Sequence, residues 1–199
     1  MRITLFDYGA GNLHSLSKAL RGDGRDVRIE VDAVAALDTD LLVLPGVGAF
    51  EPAARALGSG HRAMHDAIKA GLPCLGICLG MQLMFDASDE GPGAGLGLFA
   101  GRVSRLRTPR TPQIGWNSID DASDLLFGRA RLDTAYYANS FVCRPSDEGA
   151  VIAWSTHEGD RFPAAVRMGN VVGVQFHPEK SSAPGLAFVR NYLDSISNS

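Results

Sequence analysis

The sequence predicts an α/β fold: a mostly parallel central sheet with helices on both faces and antiparallel additions in the second half, built as one domain over residues 1–199. Three observations predict it. Short apolar runs at Arg2 to Phe6, Leu41 to Leu44 and Pro73 to Ile77 have the length of buried parallel strands. They alternate with segments of helical spacing, an order that asks for a parallel sheet covered on both sides. Beyond Gly97 short strand candidates crowd together, as antiparallel hairpins do.

Each element has its own justification. Arg2 to Phe6 ends in Asp7-Tyr8-Gly9-Ala10-Gly11-Asn12, and Leu13, Leu16, Ala19 and Leu20 follow at helical spacing. Val27 to Val31 reads as a second strand. Leu41 to Leu44 reads as a third and runs into Pro45-Gly46-Val47-Gly48. A helix-rich stretch, Glu51 to Ala70, precedes the strand that enters Gly76-Ile77-Cys78-Leu79-Gly80, after which Met81, Met84 and Phe85 are spaced for one helix face. Gly91 to Gly97 is loop. Strands are expected at Gly101 to Leu106, Gln113 to Ile119, Ala135 to Val142, Ala150 to Trp154, Ala164 to Met168 and Val171 to Phe176, as hairpins added to the sheet edge. Gly169-Asn170 marks a tight hairpin turn, and Pro184 to Ile196 closes the chain as an amphipathic helix.

Composition excludes several roles. With 45% hydrophobic and 21% charged residues the chain is globular, and a net charge of -3 gives no electrostatic footprint for nucleic acid. No apolar run approaches the roughly 20 residues that span a bilayer. Met1-Arg2-Ile3-Thr4 runs into the first strand with no signal-peptide pattern, and three scattered cysteines form no disulfide framework, so a cytoplasmic location is expected.

The chemistry centres on Cys78. Glycines two before and two after it describe a sharp strand-to-helix turn, the nucleophile elbow, with cysteine in the serine position. Such a turn points the side chain out of the sheet, above a helix N-terminus that favours a thiolate. A base is available at the exit of the last buried strand, where His177 is followed by Pro178 and Glu179. Glu179 is placed to fix the imidazole while His177 takes and returns the proton, a variant of triad logic. The backbone N–H of Leu79, with that of Val47 or Gly48, supplies an oxyanion hole. Other polar residues read more plainly. Cys74 and Cys143 are core, and His61 and His65 belong to a solvated helix face without a glutamate-bearing zinc motif. Gly9-Ala10-Gly11 mimics a dinucleotide fingerprint but has His14 where its third small residue should be. No metal or organic cofactor is expected.

The segments Asp7 to Asn12, Pro45 to Gly48, Gly76 to Gln82 and Gly173 to Glu179, together with Gly115-Trp116-Asn117 and Phe162 to Val166, resemble the class I, triad-type glutamine amidotransferases across essentially the whole chain. Within that family they look most like glutaminase subunits that feed a cyclase in histidine biosynthesis. The resemblance implies that Cys78 attacks the amide of glutamine, His177 protonates the departing ammonia, and water releases glutamate from a thioester. It implies that Gly48, Gln82, Ser140 and Phe141 hold glutamine, and that Val47 joins Leu79 in the oxyanion hole after its backbone reorients. It implies a heterodimer with a (β/α)8-barrel cyclase, reached through an ammonia channel, with Asn12, Trp116, Asn117 and Lys180 toward the interface. That cyclase makes imidazole glycerol phosphate and aminoimidazole carboxamide ribonucleotide. Gln113 and Asn139 depart from the family pattern, which has histidine at both places. Three alternatives stay open: a paralogous subunit with another ammonia acceptor, a non-catalytic regulatory subunit, or a free-standing Cys-His hydrolase.

Overall fold

The computed structural model describes residues 1–9, 13–22 and 24–197. The first half runs β1 (Arg2–Phe6), α1 (Leu13–Leu20), β2 (Asp26–Glu30), β3 (Leu41–Leu44), α2 (Phe50–Leu57), α3 (His61–Lys69), β4 (Cys74–Ile77) and α4 (Leu79–Leu83). The second half runs β5 (Ala87–Ser88), β6 (Gly101–Arg105), β7 (Gln113–Ser118), α5 (Leu125–Ala130), β8 (Thr134–Asn139), β9 (Phe141–Pro145), β10 (Val151–His157), β11 (Asp160–Met168), β12 (Val171–Val174) and α6 (Ser182–Ser197).

The main sheet has seven strands in the order β10-β11-β12-β4-β3-β1-β2. The five from β12 to β2 are parallel, while β11 and β10 complete one edge in antiparallel pairing. Alternate strand residues feed two cores. On one face Ile3, Leu5, Val43, Ile77 and Val174 pack with Leu16 and Leu20 of α1, Phe127 of α5, and Phe188 and Tyr192 of α6. On the other, Leu42, Leu44 and Cys74 pack with Phe50 of α2, Met64 of α3, and Leu79 and Met81 of α4. Each large side chain so buried contributes roughly 1.5–3 kcal/mol before ordering costs. Among the described residues, no helix is long and apolar enough to cross a membrane.

Several expectations need correction. α4 stops at Leu83, so Met84 and Phe85 do not continue it, and all five of its residues are buried rather than one face. Among the described residues only β10 and β11 extend the main sheet by antiparallel pairing. β12 is an interior strand parallel to β4. β7 and β8 form a separate ribbon, and β5, β6 and β9 a separate three-stranded sheet. The run Ala135 to Val142 is broken at Ser140, where the chain leaves one small sheet for the other. The Gly169-Asn170 turn joins β11 to β12 as the spacing indicates.

The approach of α4 to the sheet is set by glycine. A Cβ on Gly80 would lie 2.0 Å from the Leu44 carbonyl oxygen, and one on Gly76 would lie 2.8 Å from the Gly80 backbone. In both, the added Cβ would meet backbone, which cannot give way as a flexible side chain would. Gly80→Ala is therefore expected to destabilise the fold by about 3 kcal/mol or more. Urea unfolding checks this, and a change within about 0.5 kcal/mol, as for an ordinary surface site, contradicts it.

Candidate active site

Cys78 bridges β4 and α4. Its backbone N–H donates to Val174 O of β12 at 2.7 Å, and its carbonyl accepts from Gln82 N at 3.1 Å. Between these bonds the residue takes φ 48 and ψ -103, a left-handed conformation that costs a side chain of this kind on the order of 1–3 kcal/mol. The side chain is 5% exposed and opens into a cleft of about 360 Å³. Cys74 and Cys143 are fully buried, and burial pushes both thiols up, Cys143 further under the charge of Cys78.

His177 is fixed from its backbone outward. Its N–H donates to Tyr136 O of β8 at 2.8 Å, and its carbonyl accepts from Ser181 Oγ at 2.7 Å. The same Ser181 Oγ accepts from Tyr136 N at 2.9 Å, so the histidine is tied into the β7–β8 ribbon. Nδ1 faces Glu179 Oε1 at 2.9 Å, which leaves Nε2 for Cys78. Burial disfavours the charged imidazole, yet hydrogen bonds to Cys78 and Glu179 outweigh it and push His177 up to about 9. Gly46 makes room for the ring: a Cβ there would lie 3.0 Å from His177 Cε1. Tyr8 OH donates to Pro45 O and steadies that strand exit from the far side.

Of the residues singled out from sequence, Cys78, His177, Val47, Gly48, Leu79, Gln82, Ser140, Phe141 and Lys180 all line the cleft. Glu179 sits behind His177, in contact with its ring but not on the cleft wall. Trp116 is 56% exposed and meets the Tyr136 ring edge-on at 6.4 Å, with Lys180 Nζ 5.7 Å from that ring's centre. Asn117 instead donates to Thr156 O at 3.0 Å. Asn12 lies outside the described residues. His61 is held by Gly95 O at 2.7 Å, so its ring is not simply solvated. Among the described residues no cluster of three or more metal-ligating side chains converges.

Two cleft features escaped the sequence reading. Glu90 lines the cleft and accepts from Phe50 N at 2.9 Å, reaching the start of α2 from the loop after β5. A lone glutamate between loop glycines carries no local signal for that position. Gln175 is fully buried and donates to the Cys78 sulfur at 3.4 Å. An amide at the end of an otherwise apolar strand, two residues before a candidate base, was the available signal. Gln113 and Asn139, the two departures from the family pattern, prove to be directly opposed on β7 and β8. Asn139 Nδ2 donates to Phe141 O at 3.1 Å. Among the described residues nothing satisfies Asn139 Oδ1 or either end of the Gln113 amide.

An elbow cysteine held by a strained backbone, a buried imidazole against it, and a carboxylate behind the imidazole define a thiol amidase site on a doubly covered parallel sheet. The description "Glutamine amidotransferase class-I" matches residues 4–195, and the chain belongs to that family. The solved structure of PurLQS from Thermotoga maritima superposes with a TM-score of 0.74 at 20% identity, covering 98% of both chains. A structure titled simply glutamine amidotransferase superposes at 0.72 with the same identity and coverage. At such identity these show the fold alone. Closer in sequence are proteins named imidazole glycerol phosphate synthase subunit HisH. The one from Halobacterium salinarum is 43% identical over 96% of this chain and 92% of its own. Those from Deinococcus radiodurans and Corynebacterium diphtheriae are 42% and 38% identical over 96% and 97% of this chain. Within the class I amidotransferases, this chain falls among the HisH subunits.

The raised proton affinity of His177 has a consequence for stability. An unfolded histidine releases its proton near 6.5, whereas the folded one keeps it to about 9. The stabilisation from protonated His177 is therefore complete below about pH 6.5 and is lost as pH rises through about 9. Urea unfolding of the native chain and of His177→Gln across that window should show the stability gap narrowing toward high pH. A gap of constant size contradicts the assignment.

Proposed function

We propose that residues 1–199 act as one amidotransferase domain, the glutaminase subunit of an imidazole glycerol phosphate synthase. The observation that carries the reading is the alignment of Cys78 and His177 on the wall of a cleft of about 360 Å³, with Glu179 behind the imidazole and the sulfur held in place by a left-handed backbone.

The geometry supports the following course of reaction. The Cys78 thiolate attacks the side-chain carbonyl carbon of glutamine, and the oxygen takes the charge. Leu79 N–H, in the first turn of α4 where no intrahelical acceptor exists, is the donor assigned to that oxygen, with Val47 or Gly48 as second donor. His177 gives its proton to the departing nitrogen, which leaves as ammonia, and a γ-glutamyl thioester remains on Cys78. His177 then takes a proton from water as it adds, and glutamate departs with the thiolate restored. Glutamine and water become glutamate and ammonia, with Glu179 orienting the imidazole throughout.

Glutamine is a zwitterion, so its cradle needs both signs. Glu90 is the carboxylate on the cleft wall and suits the α-ammonium group, while backbone N–H groups at Ser140 and Phe141 suit the α-carboxylate. Gln82, held against Phe141 O at 3.0 Å, completes the wall. For ammonia, the acceptor is a separate (β/α)8-barrel cyclase in the histidine pathway. Support for docking at this rim comes from Ile114 and Trp116, 68% and 56% exposed on one face of β7, beside Lys180. The family resemblance assigns Asn12 and Asn117 to that surface as well. The opposed Gln113–Asn139 pair favours, as a second reading, a paralogous subunit serving another acceptor.

Glutamate release by the chain alone, and with the barrel cyclase and its nucleotide ligand, tests the proposal. Activity should be low alone, rise on the order of tenfold or more with the liganded partner, and vanish in Cys78→Ala. Equal activity with and without the partner would indicate a free-standing hydrolase, and none in a verified complex would end the catalytic reading. A second variant probes the cradle: Glu90→Gln should raise KM for glutamine about tenfold with a smaller effect on kcat, since it removes one charge-assisted contact. An unchanged KM would remove Glu90 from the site.

A further inference from the structure

Gln175 follows the last residue of β12 and is fully buried, with apolar Val174 and Phe176 on either side in the chain. An amide without partners there would weaken the fold, but this one has specific partners. Nε2 donates to Cys78 Sγ at 3.4 Å, and Oε1 accepts from Gln82 Nε2 at 3.3 Å. Gln82 Nε2 also donates to Phe141 O at 3.0 Å. The three bonds fix which way each amide points. If the Gln175 amide were turned over, two NH2 groups would face each other across 3.3 Å and a carbonyl would face the sulfur. As arranged, a donor faces the sulfur, and His177 supplies another.

We propose that Gln175 belongs to the reacting centre: its amide N–H holds the Cys78 sulfur as an anion in the attacking position, and its carbonyl ties that hold to Gln82 in the substrate cradle. A hydrogen bond to the charged form of a group favours that form. The link to substrate rests on the glutaminase reading, whereas the contact with sulfur stands without it. Both Gln82 N–H bonds are committed inside the protein, to Phe141 O and Gln175 Oε1, so its carbonyl is the group left to accept from glutamine. Substrate bound at that carbonyl polarises the relay in the direction that strengthens the N–H bond to sulfur. The relay therefore connects occupancy of the cleft to the state of the nucleophile.

Alkylation of Cys78 by iodoacetamide, followed by intact-mass spectrometry, tests the contact without any turnover assay. Cys78→Ala shows that the buried Cys74 and Cys143 do not contribute. Gln175→Met keeps the length without the donor, and Gln175→Glu keeps the shape but replaces the donor with negative charge. Near pH 7, Gln175→Met should alkylate about tenfold more slowly than the native chain. Gln175→Glu should be slower still, and both should approach the native rate in strong alkali, where every thiol is ionised. Gln82→Leu, which frees the amide to rotate, should slow the reaction less than Gln175→Met. Folded variants that alkylate like the native chain at every pH would overturn the proposal, as would Glu reacting faster than Met. A measurement on unaltered Gln175 covers failure of the variants to fold: its side-chain amide NMR signals should move with pH in the native chain and stay fixed in Cys78→Ala. Immobile signals in both would also overturn it. Glutamate release enters none of these readouts, so failure of the glutaminase reading and failure of this inference are told apart.

Discussion

Everything at the site depends on how closely α4 lies against the ends of β3 and β4. The Gly80 backbone sits under the Leu44 carbonyl with no room for a Cβ, and Gly76 closes the gap from the strand side. A helix that starts so soon after the strand, and so near it, forces the residue between them out of both regular conformations. That residue is Cys78, at φ 48. Its bonds to Val174 O on one side and Gln82 N on the other hold the strained turn, which explains how the cost of the conformation is sustained. The parallel order β12-β4-β3 then brings the Gln175–His177 exit and the Pro45–Gly48 exit to either side of the sulfur.

The two small sheets give this rim its walls. The β7–β8 ribbon contributes Ile114, Ala138 and Asn139, and the break at Ser140 hands the chain to β9 with Phe141 facing the cleft. The ribbon also grips the base, because Tyr136 bonds both the backbone of His177 and, through Ser181, its carbonyl. A displacement of the ribbon would be felt at the imidazole. The exposed Trp116 and the Tyr136 ring that meets Lys180 lie on this same element, so the surface proposed for the partner and the proposed base share a mechanical connection.

Much of this was legible in the sequence, for local reasons. β1 and β3 occupy their predicted spans and β2 is displaced by one residue, because buried parallel strands are marked by their own apolar runs. The elbow was visible in the spacing of Gly76, Cys78 and Gly80, and the contact of His177 with Glu179 in His177-Pro178-Glu179. Sites of long-range origin were not visible. Nothing near Val171 says that β12 inserts beside β4 rather than extending a hairpin edge. α5 is a short helix whose Asp124 cap, accepting from Leu126 N at 2.9 Å, is too brief a signal among the surrounding polar residues. Glu90 reaches the cleft from a loop by capping a helix distant in sequence. Gln175 could be suspected from its burial-prone neighbours, but its bond to sulfur exists only once β12 and β4 are paired.

In the proposed reaction Cys78 carries the γ-glutamyl group, with His177 as its proton carrier. Acid quench of the chain during turnover of glutamine, in complex with the cyclase, followed by peptide mass spectrometry, tests that claim most directly. A glutamyl adduct on the peptide containing Cys78, absent in Cys78→Ala and strongly reduced in His177→Gln, is the predicted result. Glutamate release without an adduct, or an adduct that maps to Cys74 or Cys143, would contradict it.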